Sequence, residues 1–175
     1  LGYKPMLHVL NSSGIVRFPE KQYDMVRLGI GLYGFDPSKN IEVGLKTTSA
    51  LFASISQIRN VPAGQSIGYG TSSYSEQNRS IATLNIGYAD GLHRSFGNGN
   101  GIAFVRGQFV PFVGSICMDM CMVDVTDLDV QEGDEVEIFG PNNSIKEMAD
   151  RGRTIPYEIL TSISSRVNRV FVGEY

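Results

Sequence analysis

The chain has little cysteine, no long apolar run and no concentration of charge of one sign, and each absence excludes something. Its 175 residues carry a formal charge of −3 with no basic cluster, which excludes a nucleic-acid surface. No stretch approaches the length of a membrane-spanning helix, and no secretory leader pattern is present, so a soluble cytoplasmic protein is expected. The two cysteines, Cys117 and Cys121, read as lying on one strand and facing the same way. Near neighbours along a strand bridge poorly, so free thiols in a reducing compartment are expected. No His, Cys or Asp cluster has metal-ligand spacing, and no Ser or Cys sits in a nucleophile elbow. Repeats and low-complexity tracts are also missing. The chain opens on Leu1 rather than Met and is expected to be a piece of a longer protein.

The informative stretch runs from Gln65 to Asp124. It holds Ser66-Ile-Gly-Tyr-Gly70, Ile86-Gly-Tyr-Ala-Asp-Gly91 and Gly114-Ser-Ile-Cys-Met-Asp-Met120. Flanking glycines let the backbone turn sharply and approach a ligand, with the tyrosine hydroxyl left outward. Tyr69 and Tyr88 are therefore candidate proton-transfer groups as well as ordinary turn residues on a barrel rim. A tyrosine works as acid or base only if its ordinary pKa of about 10 is drawn down, usually by a cation.

Upstream, Met6 to Leu10 reads as a buried strand entering a polar loop, Asn11-Ser-Ser-Gly14. Pro19 to Gln22 suits a helical turn, and Met25 to Gly31 is a second short apolar run. Strand–loop–strand of this kind is what the last turns of a parallel barrel look like. Pro37 to Lys46 reads as a linker. From about Thr47 strands follow one another: Leu51 to Ile58, Ile81 to Ile86, a hairpin from Ile102 to Val113 turning at Arg106-Gly107, an alternating run from Cys121, and Glu135 to Ile138 as a half-buried strand. Five or six strands in series predict an antiparallel barrel or sandwich. A capping box at Ser144 and Glu147 opens a helix to about Arg151. Thr154, with Pro156 after it, caps a second helix through about Ile163, and Ser165 to Val172 reads as a closing strand.

Single residues divide between ordinary and functional roles. His8 reads as a core histidine and His93 as a solvated one. Arg27, in an apolar run, requires a partner such as a nearby carboxylate. The loops around Ser12 and Gly29-Ile-Gly31 have the backbone N–H groups and hydroxyl that suit either a plain loop or a phosphate site.

Taken in order, these strings resemble the alanine racemase family. The set is His8-x-x-Asn-Ser-Ser-Gly14, Met25-Val-Arg-Leu-Gly-Ile-Gly-Leu-Tyr-Gly34, Ile67-Gly-Tyr-Gly70, Ile86-Gly-Tyr-Ala-Asp-Gly91, Gly114-Ser-Ile-Cys-Met-Asp119, Gly133-Asp-Glu-Val136, Thr154-Ile-Pro-Tyr-Glu158 and Ser165-Arg-Val-x-Arg169. The resemblance implies a mainly β fold: residues 1–46 as the remnant of a pyridoxal-phosphate-binding (β/α)8 barrel, and 47–175 as the C-terminal β-domain with two short helices. It further implies interconversion of L- and D-alanine for peptidoglycan synthesis by two bases, with Tyr69 as one and a Schiff-base lysine as the other. Ser12, the N–H groups of Gly29 and Ile30, and Tyr157 match groups holding the pyridoxal 5′-phosphate, and Arg27 matches the donor to its ring nitrogen. The Met118 N–H matches a holder of the substrate carboxylate; Tyr88, Arg94 and Asp119 match residues lining the entry channel. A head-to-tail homodimer is implied, because Tyr69 and Met118 serve the partner's site.

Two departures stand out. No lysine here lies in the family's Lys-Ala-x-Ala-Tyr-Gly context, so the chain alone is expected to be inactive and not to retain the cofactor. Ser115 stands where many members carry an arginine at the channel mouth. The alternatives are a non-catalytic binding or dimerisation module, and a related amino-acid decarboxylase. Arg27 argues against the latter, which wants a carboxylate at the ring nitrogen.

Overall fold

A computed structural model describes residues 2–35, 44–69 and 74–173. Most of the expected linker at Pro37 to Lys46, and Gly70 of the first tyrosine string, lie outside the described residues. The chain forms two compact units, Leu1–Ser49 and Ala50–Tyr175.

In the first unit the two apolar runs lie side by side and point the same way. Asp24 N–H donates to the Leu7 carbonyl and Arg27 N–H to the Leu10 carbonyl. Between them, Asn11 caps helix α1 (Ser12–Arg17) by accepting from Gly14 N–H at 3.0 Å. The predicted polar loop is therefore the start of a helix, because an Asx side chain satisfies the first-turn donors. Pro19–Lys21 makes the expected helical turn, of 3-10 type. A second 3-10 turn, Ile30–Tyr33, ends at Gly34 in the left-handed region at φ 76°. A β-carbon at Gly34 would fall 1.8 Å from the Lys46 carbonyl oxygen, so only glycine fits.

Neither apolar run is a strand, contrary to the sequence expectation. Parallel strands are stable when both edges and both faces are covered, and here Met6, Leu7 and Val9 are exposed while Leu10 and Ile30 are buried. His8 is exposed rather than in a core.

The second unit is a closed antiparallel barrel in the order β1-β2-β5-β4-β3-β6. The strands are β1 (Leu51–Val61), β2 (Arg79–Leu84), β3 (Ile102–Val105), β4 (Gln108–Val113), β5 (Cys121–Asp124) and β6 (Glu135–Phe139). Strand β1 is long enough for two neighbours: its first residues pair with β6, and after a register irregularity at Ile55/Gln57 the remainder pairs with β2. Closure leaves no free sheet edge. The β3–β4 hairpin turns at Arg106 and Gly107, both at positive φ (49° and 82°), the combination that matches strand twist. Leu84, Phe96, Phe112, Val123, Val136 and Ile138 fill the interior.

Three local expectations are corrected. Glu137 does not face water; it is 4% exposed and accepts from Asn142 N–H, Asn142 Nδ2 and Asn143 N–H, each at 2.8 Å. The turn after β6 folds back to supply these donors, which is what makes burial of a carboxylate tolerable. Cys117 lies in the loop before β5, not on it, so the two thiols are not strand neighbours. Ser165 to Val172 forms no strand: β1 to β6 already close on one another, and Val170, Phe171 and Val172 stay exposed.

The helices are α2 (Ile145–Gly152) and α3 (Pro156–Ser162). Ser144 Oγ accepts from Glu147 N–H at 3.1 Å, as the capping box predicts. Thr154 does not cap α3; Ile155 holds that position without a side-chain bond, and the Thr154 hydroxyl instead meets the Glu158 carboxylate. Among the described residues no helix is long and apolar enough to cross a membrane.

Candidate functional site

The glycine-flanked strings converge. A cavity of about 630 Å³ in the second unit is lined by Tyr69, Tyr88, Arg94, Ser115, Met118 and Asp119, together with Ile116, Cys117 and Met120. Its walls are the end of 66–69, residues 86–91 and residues 114–120, with Arg94 added from the short turn that follows the second.

Close backbone packing holds these loops together. Tyr88 N–H donates to the Cys117 carbonyl at 2.9 Å and Ala89 N–H to the Met118 carbonyl at 3.0 Å. A β-carbon at Gly87 would fall 2.3 Å from the Met118 oxygen, so the approach depends on glycine. Asp90 Oδ2 accepts from Gly87 N–H at 2.9 Å, closing the turn that presents Tyr88. On the far side of that turn Ser162 Oγ donates to the Gly91 carbonyl at 3.0 Å, fastening it to the end of α3. Tyr69 follows Gly68 at φ 81° and is 75% exposed, so its ring stands outward from the loop.

Arg94 opens a short 3-10 turn, Arg94–Phe96, whose start is capped by His93. The His93 ring accepts from Ser95 N–H and meets Ser95 Oγ at 3.0 Å. The exposed histidine of the sequence reading thus has a positional role: it orients the segment carrying Arg94.

The electrostatics of the wall depend on a residue outside it. Arg166 Nη2 meets Asp119 Oδ1 at 2.6 Å, and its Nε lies 3.4 Å from Asp90 Oδ1. Both carboxylates hold the Arg166 guanidinium above its ordinary pKa, Asp119 through a direct hydrogen bond and Asp90 through charge. Behind the cavity, burial pushes the Cys121 thiol far up, so it stays protonated.

In the first unit, Ser12 Oγ accepts from Gly29 N–H at 3.0 Å and from Gly31 N–H at 3.2 Å. Ser12 and Ile30 are both buried at this point. Arg27 is exposed and its Nη2 reaches the Val9 carbonyl at 3.4 Å, so among the described residues its contact is a carbonyl rather than a carboxylate. Tyr157 lies on α3, is 39% exposed, and does not line the cavity. The structure therefore gathers Tyr69, Tyr88, Arg94, Met118 and Asp119 in one place, and Ser12, Gly29 and Ile30 in another. Sequence reasoning missed the roles of Asp90 and Arg166; the signal was a pair of arginines in the expected closing strand, which no spacing rule connects to residue 119. Among the described residues no group of three or more His, Cys, Asp or Glu could hold a metal.

Known proteins resemble this chain along nearly its whole length. The family model "Alanine racemase, C-terminal domain" matches residues 48–171, and "Alanine racemase, N-terminal domain" matches residues 2–37. Alanine racemase 1 of Caldanaerobacter subterraneus subsp. tengcongensis is 44% identical over 95% of this chain and 45% of its own length. Alanine racemase of Desulfosudis oleivorans is 42% identical over 94% of this chain and 44% of its own. The crystal structure of alanine racemase from Bartonella henselae, with covalently bound pyridoxal phosphate, superposes with a TM-score of 0.90 at 38% identity, covering 97% of this chain and 48% of that one. That from D-cycloserine-producing Streptomyces lavendulae gives 0.91 at 34% identity, covering 99% and 48%. This chain thus spans about 45% of the length of the curated relatives it matches. By these matches and by the fold that carries them, it belongs to the alanine racemase family.

Proposed function

We propose that this chain is the C-terminal part of a pyridoxal-phosphate-dependent alanine racemase, working in a cytoplasmic homodimer to interconvert L- and D-alanine for cell-wall synthesis. The single observation that carries this is the 630 Å³ cavity joining Tyr69, Tyr88, Arg94, Met118 and Asp119, which come from three separated stretches of the sequence. Two free thiols support a reducing compartment.

The residues of the first unit fit a phosphate. Ser12 brings a hydroxyl, and the Gly29 and Gly31 N–H groups that donate to it lie beside one another, so a phosphate oxygen replacing Ser12 Oγ as their acceptor would meet two backbone donors and a hydroxyl together. Ser12, Gly29, Ile30 and Tyr157 would hold the cofactor's phosphate, and Arg27 would face its ring nitrogen. When bound, the cofactor supplies the electron sink that lets a proton leave the α-carbon of an amino acid. Arg27 does not give up its own proton, so the nitrogen it faces stays a pure acceptor and the sink stays weak, disfavouring side reactions.

Tyr69 Oη takes or returns the proton on one face of the substrate. Its ring projects from a glycine turn, so the hydroxyl can reach outward to a site on a partner subunit. The Met118 N–H holds the substrate carboxylate, and Arg94 and Tyr88 admit it. Racemisation also needs a base on the opposite face. The sequence contains no lysine in the Lys-Ala-x-Ala-Tyr-Gly context, so the chain by itself is inactive in this reading.

The test is Tyr69→Phe in an enzyme that joins this chain to a lysine-bearing barrel, followed by solvent-deuterium exchange into L- and D-alanine. Loss of exchange from one enantiomer with the cofactor's absorbance intact is expected. Near-normal racemisation in both directions would refute the role of Tyr69.

A further inference from the structure

We infer that Arg166 is a positioning residue: it clamps the Tyr88 loop to the Met118 loop and offsets the charge of Asp119, so that the cavity accepts a carboxylate. This rests on the carboxylate-binding reading of the cavity given above, and it concerns a residue that does not line it.

The geometry is a three-way junction. Arg166 Nη2 grips Asp119 Oδ1 at 2.6 Å, one residue beyond Met118. Its Nε approaches Asp90 Oδ1, two residues beyond Tyr88, while the other Asp90 oxygen accepts from Gly87 N–H. The tail carrying Arg166 is itself seated on the same loop, since Ser164 N–H donates to the Asp90 carbonyl at 3.1 Å and Ser164 Oγ accepts from Arg166 N–H at 3.2 Å. Among the described residues, the backbone hydrogen bonds that join the two loops are those of Tyr88 N–H and Ala89 N–H. Arg166 adds a side-chain bridge to each.

The charge count gives the consequence. Among the described residues lining the cavity, Arg94 is the cation and Asp119 the anion. Arg166 is shared between Asp119 and Asp90, which does not line the cavity, so it offsets part of the Asp119 charge and leaves Arg94 the stronger charge at the wall, which attracts an anion. Without Arg166, Asp119 faces the cavity unneutralised and repels one. Asp119 is about half exposed, so this repulsion is screened by salt.

The experiment titrates acetate, as a bare carboxylate, into the chain and follows backbone amides by NMR, with amide hydrogen exchange alongside. Wild type is compared with Arg166→Gln, Arg166→Lys and the double variant Arg166→Gln/Asp119→Asn. Acetate should shift the Met118 amide in wild type. In Arg166→Gln the affinity should fall by about tenfold, a single like-charge penalty. Added salt should narrow that difference, and the double variant should recover most of it, which mere loss of structure would not allow. The Tyr88 and Ala89 amides should exchange about tenfold faster in Arg166→Gln, with partial recovery in Arg166→Lys.

Acetate binding in Arg166→Gln equal to wild type, or a double variant no better than the single, would overturn the charge role. Unchanged exchange at Tyr88 and Ala89 would overturn the clamp. Absence of any acetate response in wild type would sink the carboxylate reading of the cavity, and the charge role with it, while the exchange data still decide the clamp. If Arg166→Gln does not fold, Arg166→Lys and the double variant carry the same comparisons.

Discussion

Gly87 and Met118 approach so closely that a β-carbon on the first would lie 2.3 Å from the carbonyl oxygen of the second, with the Cys117 oxygen at 2.4 Å. The obstruction is backbone, which cannot rotate away as a side chain can. Gly87→Ala should therefore push the Tyr88 loop off the Met118 loop and cost about 3 kcal/mol, the upper range for overpacking. Thermal unfolding measures the loss. A variant as stable as wild type would mean that the two loops do not approach as described.

Glu137 offers a test of buried polarity. Replacing it with Leu leaves the buried Asn143 N–H, and the Asn142 N–H beside it, without their acceptor. The expected loss is about 3 kcal/mol by denaturant unfolding. Glu137→Gln, which keeps one carbonyl oxygen, should lose less. An equal loss for both would point to charge rather than hydrogen bonding as the stabilising feature.

Asp134 links stability to pH. Arg106 grips it through two nitrogens, at 3.0 and 2.8 Å, and Gln131 N–H adds a third donor. These hold the carboxyl below its ordinary pKa, the Arg106 hydrogen bond foremost. A group depressed in the folded state stabilises above its unfolded pKa, and the benefit disappears as pH falls through the folded value. The contribution should be whole at neutral pH and decline from about pH 4 downward. Asp134→Asn should unfold more easily at neutral pH and show a shallower acid decline. Identical acid profiles for the two proteins would remove Asp134 as a cause.

The two thiols should separate cleanly by reactivity. Cys121 is fully buried and its thiol is pushed far up by that burial, whereas Cys117 is partly accessible in the loop before β5. A thiol reagent on the native chain should modify one cysteine, with the second reacting only in denaturant. Modification of Cys121 at the native-state rate of Cys117 would contradict the closed barrel.

The first unit exposes Met6, Leu7, Val9, Leu28 and Leu32. Apolar side chains left in water supply no burial energy to offset backbone ordering. Limited proteolysis should cut within the first 46 residues before the barrel. Equal resistance of both units would overturn the proposal that the first is a barrel remnant lacking its neighbours.

Much of this was decided by local rules. The Arg106-Gly107 hairpin, the alternation along β5, the Ser144 cap and the glycine-flanked tyrosines depend on short-range geometry and side-chain period, both written in adjacent residues. So was the family, because ordered strings of turn glycines record where a backbone must bend or come close. What only the tertiary structure decided involves partners far along the chain. Met6 to Leu10 carries the composition of a buried strand, yet burial needs neighbours on both sides, and composition does not supply them. Glu137 sits at a polar position of an alternating strand, but the turn after β6 brings three donors to it and draws it inside. Arg166 read as one of two arginines on a closing strand until folding set it between Asp90 and Asp119, from loops 76 and 47 residues away. Electrostatic pairing depends on distance in space, and that quantity exists only once the barrel has closed.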